Sequence, residues 1–301
     1  MTVWVVGSIN LDLMSRVRRF PRPGETVTGT DVEESPGGKG ANQAVASARM
    51  GAPTHMVGCV GNDDVGRQLM AFLTSEEVDV SGVATVDVST GRAIVTVDDS
   101  GENQIVLAPG ANAAVTLDHL EPLAVAPADV VLCQGEIPAE VSAQALAIAR
   151  DAGAVGILDP APASAELTSA VAVAALCTPN ETELGVLAGR PVDAGAPTEE
   201  LTEMALRARG DAALDMIVTL GRQGVLWVPP IGDPVHLAAD EVVVVDSTGA
   251  GDCFAGTMAS GLSDGLDVGR SLRRAISAAS LSVTRPGAAS SMPKRDEVDA
   301  D

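Results

Sequence analysis

Short apolar runs that alternate with segments of helical period constrain this chain more than any other feature. Strand-length runs stand at Val3 to Ile9, His55 to Val60, Asp129 to Cys133, Val155 to Asp159, Leu176 to Thr178, Met216 to Leu220 and Val242 to Val245. Helical patterns fall between or after them at Gly66 to Thr74, Ala139 to Ala152, Ala163 to Ala175, Thr198 to Arg209, Ala250 to about Leu262 and Val268 to Thr284. Such alternation predicts an α/β fold: a mostly parallel central sheet flanked by helices on both faces. No repeat, low-complexity tract or linker divides residues 1–301, so a single domain is expected, with a loose acidic end from Arg295 to Asp301.

Two segments break the alternation. Arg16 to Glu34 is rich in Pro, Gly and Thr, and Arg92 to Leu107 reads as two strands around Asp98-Asp99-Ser100-Gly101-Glu102, a hairpin signal. Together they are expected to form a small sheet that projects from the main one.

A chain of 301 residues buries about 75% of its unfolded surface, so its core needs no staples. Cys59, Cys133, Cys177 and Cys253 are scattered without metal-ligand or disulfide spacing and read as buried reduced thiols. Met1 leads directly into the first strand, nothing resembles a signal peptide, and no apolar run reaches membrane length; a cytoplasmic protein without a membrane partner is expected. The net charge is −22 with only Lys39 and Lys294 as lysines. Self-repulsion of that size destabilises a compact chain unless salt screens it, which points to a halophilic cytosol. A polyanion such as nucleic acid would be repelled.

Chemistry concentrates at two glycine clusters. In Asp246-Ser247-Thr248-Gly249-Ala250-Gly251-Asp252, a strand is expected to end, a glycine turn to follow and a helix to open. Glycines there let consecutive N–H groups face outward at the positive end of a helix dipole, an anion cradle with a carboxylate beside it. The same turn could also serve packing alone. Upstream, Gly37-Gly38-Lys39-Gly40-Ala41-Asn42-Gln43-Ala44 precedes a helical pattern ending near Met50-Gly51. Gly40 follows Lys39 where a Walker loop has Ser or Thr, and neither cluster has dinucleotide-binding spacing. Glycines here admit a small ligand to the backbone, and Asn42 can both donate to and accept from a sugar hydroxyl.

Gly7-Ser8-Ile9-Asn10-Leu11-Asp12, Pro23-Gly24-Glu25-Thr26-Val27, the cluster from Gly37 to Ala44, Pro160-Ala161-Pro162-Ala163, Thr178-Pro179-Asn180-Glu181-Thr182-Glu183, Thr219-Leu220-Gly221-Arg222-Gln223-Gly224 and the 246–252 turn occur in this order. Nearly end to end, the chain resembles the PfkB carbohydrate kinase family, and within it the ribokinases. The resemblance implies a ribokinase-like α/β fold, with residues 13–36 and 91–107 as a lid over the sugar that also pairs two copies into a homodimer. It implies ATP-dependent phosphorylation of D-ribose at O5, with magnesium required and potassium stimulating.

Phosphoryl transfer needs a base, an anion hole and charge neutralisation. Asp252 is the expected base, and backbone N–H groups of Gly249, Ala250 and Gly251 are the expected anion hole. Carried over by position, Asn10, Asp12, Gly38, Lys39, Asn42, Ala93, Ile105 and Glu136 would meet the sugar with Asp252. Asn180, Thr219, Gly221, Gly224, Gly251 and Ile276 would meet ATP. Glu183 would hold Mg2+ through water, and Asp246, Thr248, Ser282, Arg285, Gly287 and Ser291 would surround K+. Outside the resemblance, Asp12 and Asn10 read equally as turn or capping residues, Glu136 as a loop residue, and Asn180 with Glu183 as a capping box.

Three departures bear on the transfer. Ile276 stands where many relatives carry Asn beside the adenine, so apolar contact is expected there. Asp159 stands where Asn is expected before Pro160. Arg92 precedes Ala93 in a lid strand, and alternation sends it to the face away from the sugar. Other kinases of the family, acting on ketoses, deoxyribose, 2-keto-3-deoxygluconate or nucleosides, stay open. A nucleoside site usually offers aromatic surface, whereas this chain has no Tyr and only Phe20 near the lid. A noncatalytic sensor would be expected to lose the base or the glycines at 249–252, and these are intact.

Overall fold

A computed structural model describes residues 1–193 and 195–299. In chain order the strands are β1 (Val3–Val6), β2 (Asn10–Arg16), β3 (Glu33–Gly37), β4 (Thr54–Gly61), β5 (Val78–Val86), β6 (Gly91–Val97), β7 (Asn103–Ala108), β8 (Val130–Cys133), β9 (Val155–Leu158), β10 (Leu176–Cys177), β11 (Asp215–Thr219), β12 (Val225–Val228) and β13 (Val235–Leu237). The helices are α1 (Lys39–Arg49), α2 (Asp64–Ser75), α3 (Ala139–Ala152), α4 (Thr168–Val171), α5 (Glu181–Ala188), α6 (Thr198–Arg209), α7 (Ala250–Ser263), α8 (Val268–Ser282) and α9 (Arg295–Val298).

The large sheet has the order β13-β12-β11-β10-β9-β8-β1-β4-β5. Neighbours from β11 to β5 run parallel, and β12 and β13 close one end antiparallel. Both faces are covered, which is why its central strands read as continuous apolar runs. In β1, Val3 and Val5 join a core cluster with Val45 of α1, Phe254 and Met258 of α7 and Leu272 of α8. Trp4 and Val6 point the other way and join the cluster on the opposite face, which includes Val141 and Leu146 of α3, Leu184 of α5 and Met204 of α6. Each such side chain contributes about 1.5–3 kcal/mol on leaving water.

Local signals set the helix ends. Asp63 caps α2 by accepting the Gly66 N–H at 2.8 Å. Gly153, at φ 75°, ends α3 in the left-handed conformation. All four cysteines are buried and free. No helix among the described residues is long and apolar enough to cross a membrane.

The second sheet, β3-β2-β6-β7, is the expected lid sheet. β2 runs parallel to β6, whereas β2–β3 and β6–β7 are antiparallel. The expected hairpin joins β6 to β7, its turn held by Asp98 accepting from the Ser100 and Glu102 N–H groups.

Four expectations require correction. β1 ends at Val6, and a new strand starts at Asn10 in the other sheet. Val242 to Val245 is extended coil rather than a buried strand: the sheet edge ends with β13, so these β-branched residues find no strand to pair with, and Val243 is 83% exposed. Ala163 to Ala175 forms only a 3-10 turn at Ala165–Leu167 and the single turn α4, because Pro162 delays the start and the chain must enter β10 at Leu176. Arg295–Val298 is a helical turn rather than loose chain, tied down by Arg295 to Asp264 and Glu297 to Arg285. Residues 300 and 301 of that acidic end lie outside the described residues.

Candidate active site

Parallel strands place their carboxyl ends along one edge, and open α/β sheets bind ligands in the crevice beyond that edge. Here the residues just after β1, β8, β9, β10 and β11 converge on the start of α7. Gly249 precedes α7 at φ 73°, and a Cβ there would come 3.0 Å from Ala288, so the turn requires glycine. A Cβ at Gly251 would meet nothing within 4 Å, because this residue borders open cavity. One expected anion-hole donor is engaged otherwise. The Ala250 N–H bends back to the Ser247 carbonyl at 3.2 Å, as the tight turn demands. Among the described residues, Gly249 and Gly251 donate to no main-chain acceptor outside helix and strand ladders.

Asp252 is buried in the first turn of α7. Its Oδ2 accepts from Asn42 Nδ2 at 2.9 Å, and its Oδ1 from Gln43 Nε2 at 3.1 Å. Asn42 Oδ1 is buried without a partner among the described residues. Lys39, one turn earlier on α1, faces Asp252, Asp159, Glu136 and Glu183. Burial alone would lower its pKa, but the four carboxylates outweigh that and raise it, so the ammonium stays charged.

On the sugar side, Glu136 Oε2 accepts from Ser8 Oγ at 2.5 Å, Asn10 Nδ2 at 3.4 Å and the Lys39 N–H at 3.1 Å. Asn112 orients Asn10 by donating to its Oδ1 at 2.7 Å, while its own Oδ1 accepts the Ile9 N–H. A Cβ at Gly37 would come 2.2 Å from the Asp12 carboxylate, and one at Gly38, at φ 89°, would come 2.7 Å from the Asn10 nitrogen. Burial first, then Glu136 and Asp252, push the Asp12 carboxyl up to about 7. Asn10, Asp12, Gly38, Lys39, Asn42, Glu136 and Asp252 therefore gather around one space. Ala93 pairs with Asp12 and is buried; Ile105 lies further out on the same face of the small sheet and is 58% exposed. Arg92 falls on the opposite face, where its charge acts on Asp63.

On the other side of α7, a cleft of about 440 Å³ is lined by Thr219, Gly221, Gly224, Gly251 and Ile276, five of the expected nucleotide residues. Val242 and Val244 form part of its wall, which gives the unpaired valine run a use. A second cavity of about 240 Å³ adjoins it, lined by Lys39, Asp159, Asn180, Glu183 and Gly249 to Asp252. Asn180 and Glu183 cap α5 reciprocally, each N–H donating to the other side chain at 2.8 Å. Burial raises the Glu183 carboxyl. The two cavities share Thr219, Ser247, Ala250, Gly251 and Phe254, so they meet at the start of α7.

Of the expected potassium residues, Asp246, Thr248 and Gly287 come together. Asp246 accepts from Thr248 N–H at 2.9 Å and Oγ1 at 2.7 Å, and from the Gly287 N–H at 2.9 Å. Ser282 and Ser291 turn their hydroxyls back to Ala279 and Ala288 carbonyls, and the Arg285 guanidinium pairs with Glu297. Arg285 could therefore contribute only its main-chain carbonyl, whereas Ser282 and Ser291 keep hydroxyl lone pairs as well.

The family model for pfkB family carbohydrate kinase matches residues 2–295. The chain belongs to the pfkB family of carbohydrate kinases. A ribokinase from Haemophilus influenzae is 36% identical over 305 residues, covering 98% of this chain and 96% of the relative. The structure of a Thermotoga maritima ribokinase superposes with a TM-score of 0.89 at 34% identity, over 99% of this chain and 98% of that one. An Arabidopsis thaliana ribokinase complexed with ribose and ATP gives 0.87 at 32% identity, over 99% and 97%. With the pfkB family comes the reaction class, ATP-dependent phosphorylation of a carbohydrate.

Several site residues were not singled out by sequence reasoning. Ser8, Gln43, Asn112 and Gln134 are fully or nearly fully buried polar side chains that join the site's hydrogen-bond network. Only Gln43 carries a positional signal: in α1 it shares the buried surface of an otherwise apolar pattern with Asn42 and Ser47.

Proposed function

We propose that this kinase transfers the γ-phosphoryl group of ATP to O5 of D-ribose. One observation carries the proposal: a buried carboxylate, Asp252, held by two amides, lies at the helix start where a nucleotide-sized cleft meets a cavity reached by Lys39. The complex of the Arabidopsis relative with ribose and ATP supports the same substrates. Asp12, Asn10, Glu136 and Asn42 accept and donate to the sugar hydroxyls. Asp252 takes the proton of the attacking hydroxyl as its oxygen bonds to phosphorus, and the bond to the departing ADP oxygen breaks. The N–H groups of Gly249 and Gly251, together with the Lys39 ammonium, face the charge of the moving group.

The acidic wall of the smaller cavity suits a hydrated magnesium ion, with Glu183 and Asn180 holding its waters. Such an ion, when bound, neutralises phosphate oxygens. A potassium ion suits the Asp246 carboxylate with surrounding carbonyl oxygens, and would brace the glycine turn. A coupled ADP-release assay in high KCl over ribose, deoxyribose, fructose, 2-keto-3-deoxygluconate and adenosine is expected to rank ribose first. It is also expected to slow when tetramethylammonium replaces potassium. Faster turnover of another sugar sinks the substrate, and equal turnover in the organic cation sinks the potassium site.

The charge of −22 with two lysines supports function in a salt-rich cytoplasm. Ile94 and Val106, directly paired on the outer face of the small sheet, are 47% and 63% exposed and support pairing of two copies there. Circular dichroism and sedimentation across a KCl series should give a folded dimer in molar salt and loss of fold below 0.1 M. Full structure at low salt, or a monomer throughout, would count against these two points respectively.

A further inference from the structure

We propose that Gln43 is a positioning residue for phosphoryl transfer: its side-chain amide, itself turned by Gln134, fixes the rotation of the Asp252 carboxylate. The inference rests on the reading of Asp252 as the general base.

Gln43 has one acceptor oxygen and two N–H donors. Its Nε2 donates to Asp159 Oδ2 at 2.6 Å and to Asp252 Oδ1 at 3.1 Å, and its Oε1 accepts from Gln134 Nε2 at 2.7 Å. Only this orientation satisfies all three neighbours, because carboxylates accept and the Gln134 NH2 donates. With Asn42 on Oδ2, both oxygens of Asp252 are pinned, and the carboxylate plane cannot turn.

The arrangement carries a cost that packing alone would not justify. Among the described residues Gln134 Oε1 and Asn42 Oδ1 are buried without partners, and such acceptors destabilise a fold. Room for Gln134 also depends on Gly7, where a Cβ would fall 1.8 Å from Gln134 Oε1. An apolar side chain at 134 would remove the orphaned Gln134 Oε1 and the demand on Gly7. What it would not supply is the N–H that keeps the Gln43 donors aimed at Asp252. Both glutamines are fully buried, so the chain is shielded from competing water.

The full chain, its Gln43→Met, Gln134→Met and double variants, and Gln43→Glu are compared with ribose and ATP in high KCl. Gln43→Met is expected to lower kcat about 30-fold with both KM values within about threefold, as misalignment of a reacting group does. Gln134→Met should lower kcat about fivefold, and the double variant no further than Gln43→Met, since both act through one contact. Gln43→Glu should gain kcat relative to the unsubstituted chain as pH falls from 8 to 6, because the introduced carboxyl can donate again once it is protonated. A kcat within twofold for Gln43→Met, multiplicative losses in the double variant, or a flat pH ratio overturns the proposal. If Gln43→Met does not fold by circular dichroism, Gln134→Met and Gln43→Glu decide on the same terms. An unsubstituted chain that phosphorylates none of the sugars overturns the kinase reading itself, whereas an active chain indifferent to Gln43 overturns only the positioning role.

Discussion

Asp252→Asn is expected to reduce kcat by about 10²- to 10⁴-fold, the usual contribution of a general base. Volume is preserved, and the variant should bind ribose and ATP with little change, so the loss belongs to the chemical step. The geometry adds a local penalty. Asn42 and Gln43 each present an N–H to Asp252, and an asparagine amide can meet only one of them with an acceptor. Steady-state kinetics beside calorimetric ribose binding separates the two effects. Turnover at the unsubstituted rate would remove Asp252 from its role.

Lys39→Met should be nearly as damaging to activity, about 10²- to 10³-fold, if the ammonium stabilises charge on the moving phosphoryl group. It should also weaken the fold by about 3 kcal/mol, since removing the cation of a buried charge cluster leaves its carboxylates uncompensated. A pH signature follows. Asp159 and Glu183 already have raised pKa values from burial, and Lys39 is the cation that opposes the shift. Without Lys39 their folded-state values rise further. A carboxyl whose folded value exceeds its unfolded value contributes stability below the unfolded value and loses it as pH climbs through the folded one. The stability deficit of Lys39→Met should therefore be smaller at pH 5 than at pH 8. Urea denaturation at both pH values checks this, and an equal deficit would mean that Lys39 does not neutralise these groups.

Much of the architecture was legible because periodic burial and end signals agree. α3 and α6 occupy the expected ranges Ala139 to Ala152 and Thr198 to Arg209, where apolar spacing coincides with clear stops at Gly153 and Gly210. Where the signals separate, expectation failed. Val242 to Val245 has strand propensity but no neighbouring strand, its Val245 N–H donating instead to the Val283 carbonyl beyond α8, and pairing is a property of the sheet rather than of the run. β5 escaped notice because it is an edge strand whose burial alternates irregularly around Gly82. In the site, Asp252 and Lys39 were legible because they sit inside glycine clusters. Gln43, Gln134 and Asn112 were not, since an amide looks the same in a sequence whether it faces water or pins a carboxylate.

The small sheet is rooted in the large one through β2, whose first residue, Asn10, is fastened to Asn112 and Glu136. That fastening would serve as the fulcrum of any tilt of the small sheet. At about 3.3 Å per residue, Asp12 lies about 7 Å along the arm, and the Met14–Val95–Ile105 row about 13 Å. A tilt of about 10° would move Asp12 by about 1 Å and Ile105 by about 2 Å. Polar recognition near the pivot would hold its register throughout the swing, while the apolar tip travels farthest, so a ligand can be gripped before it is enclosed.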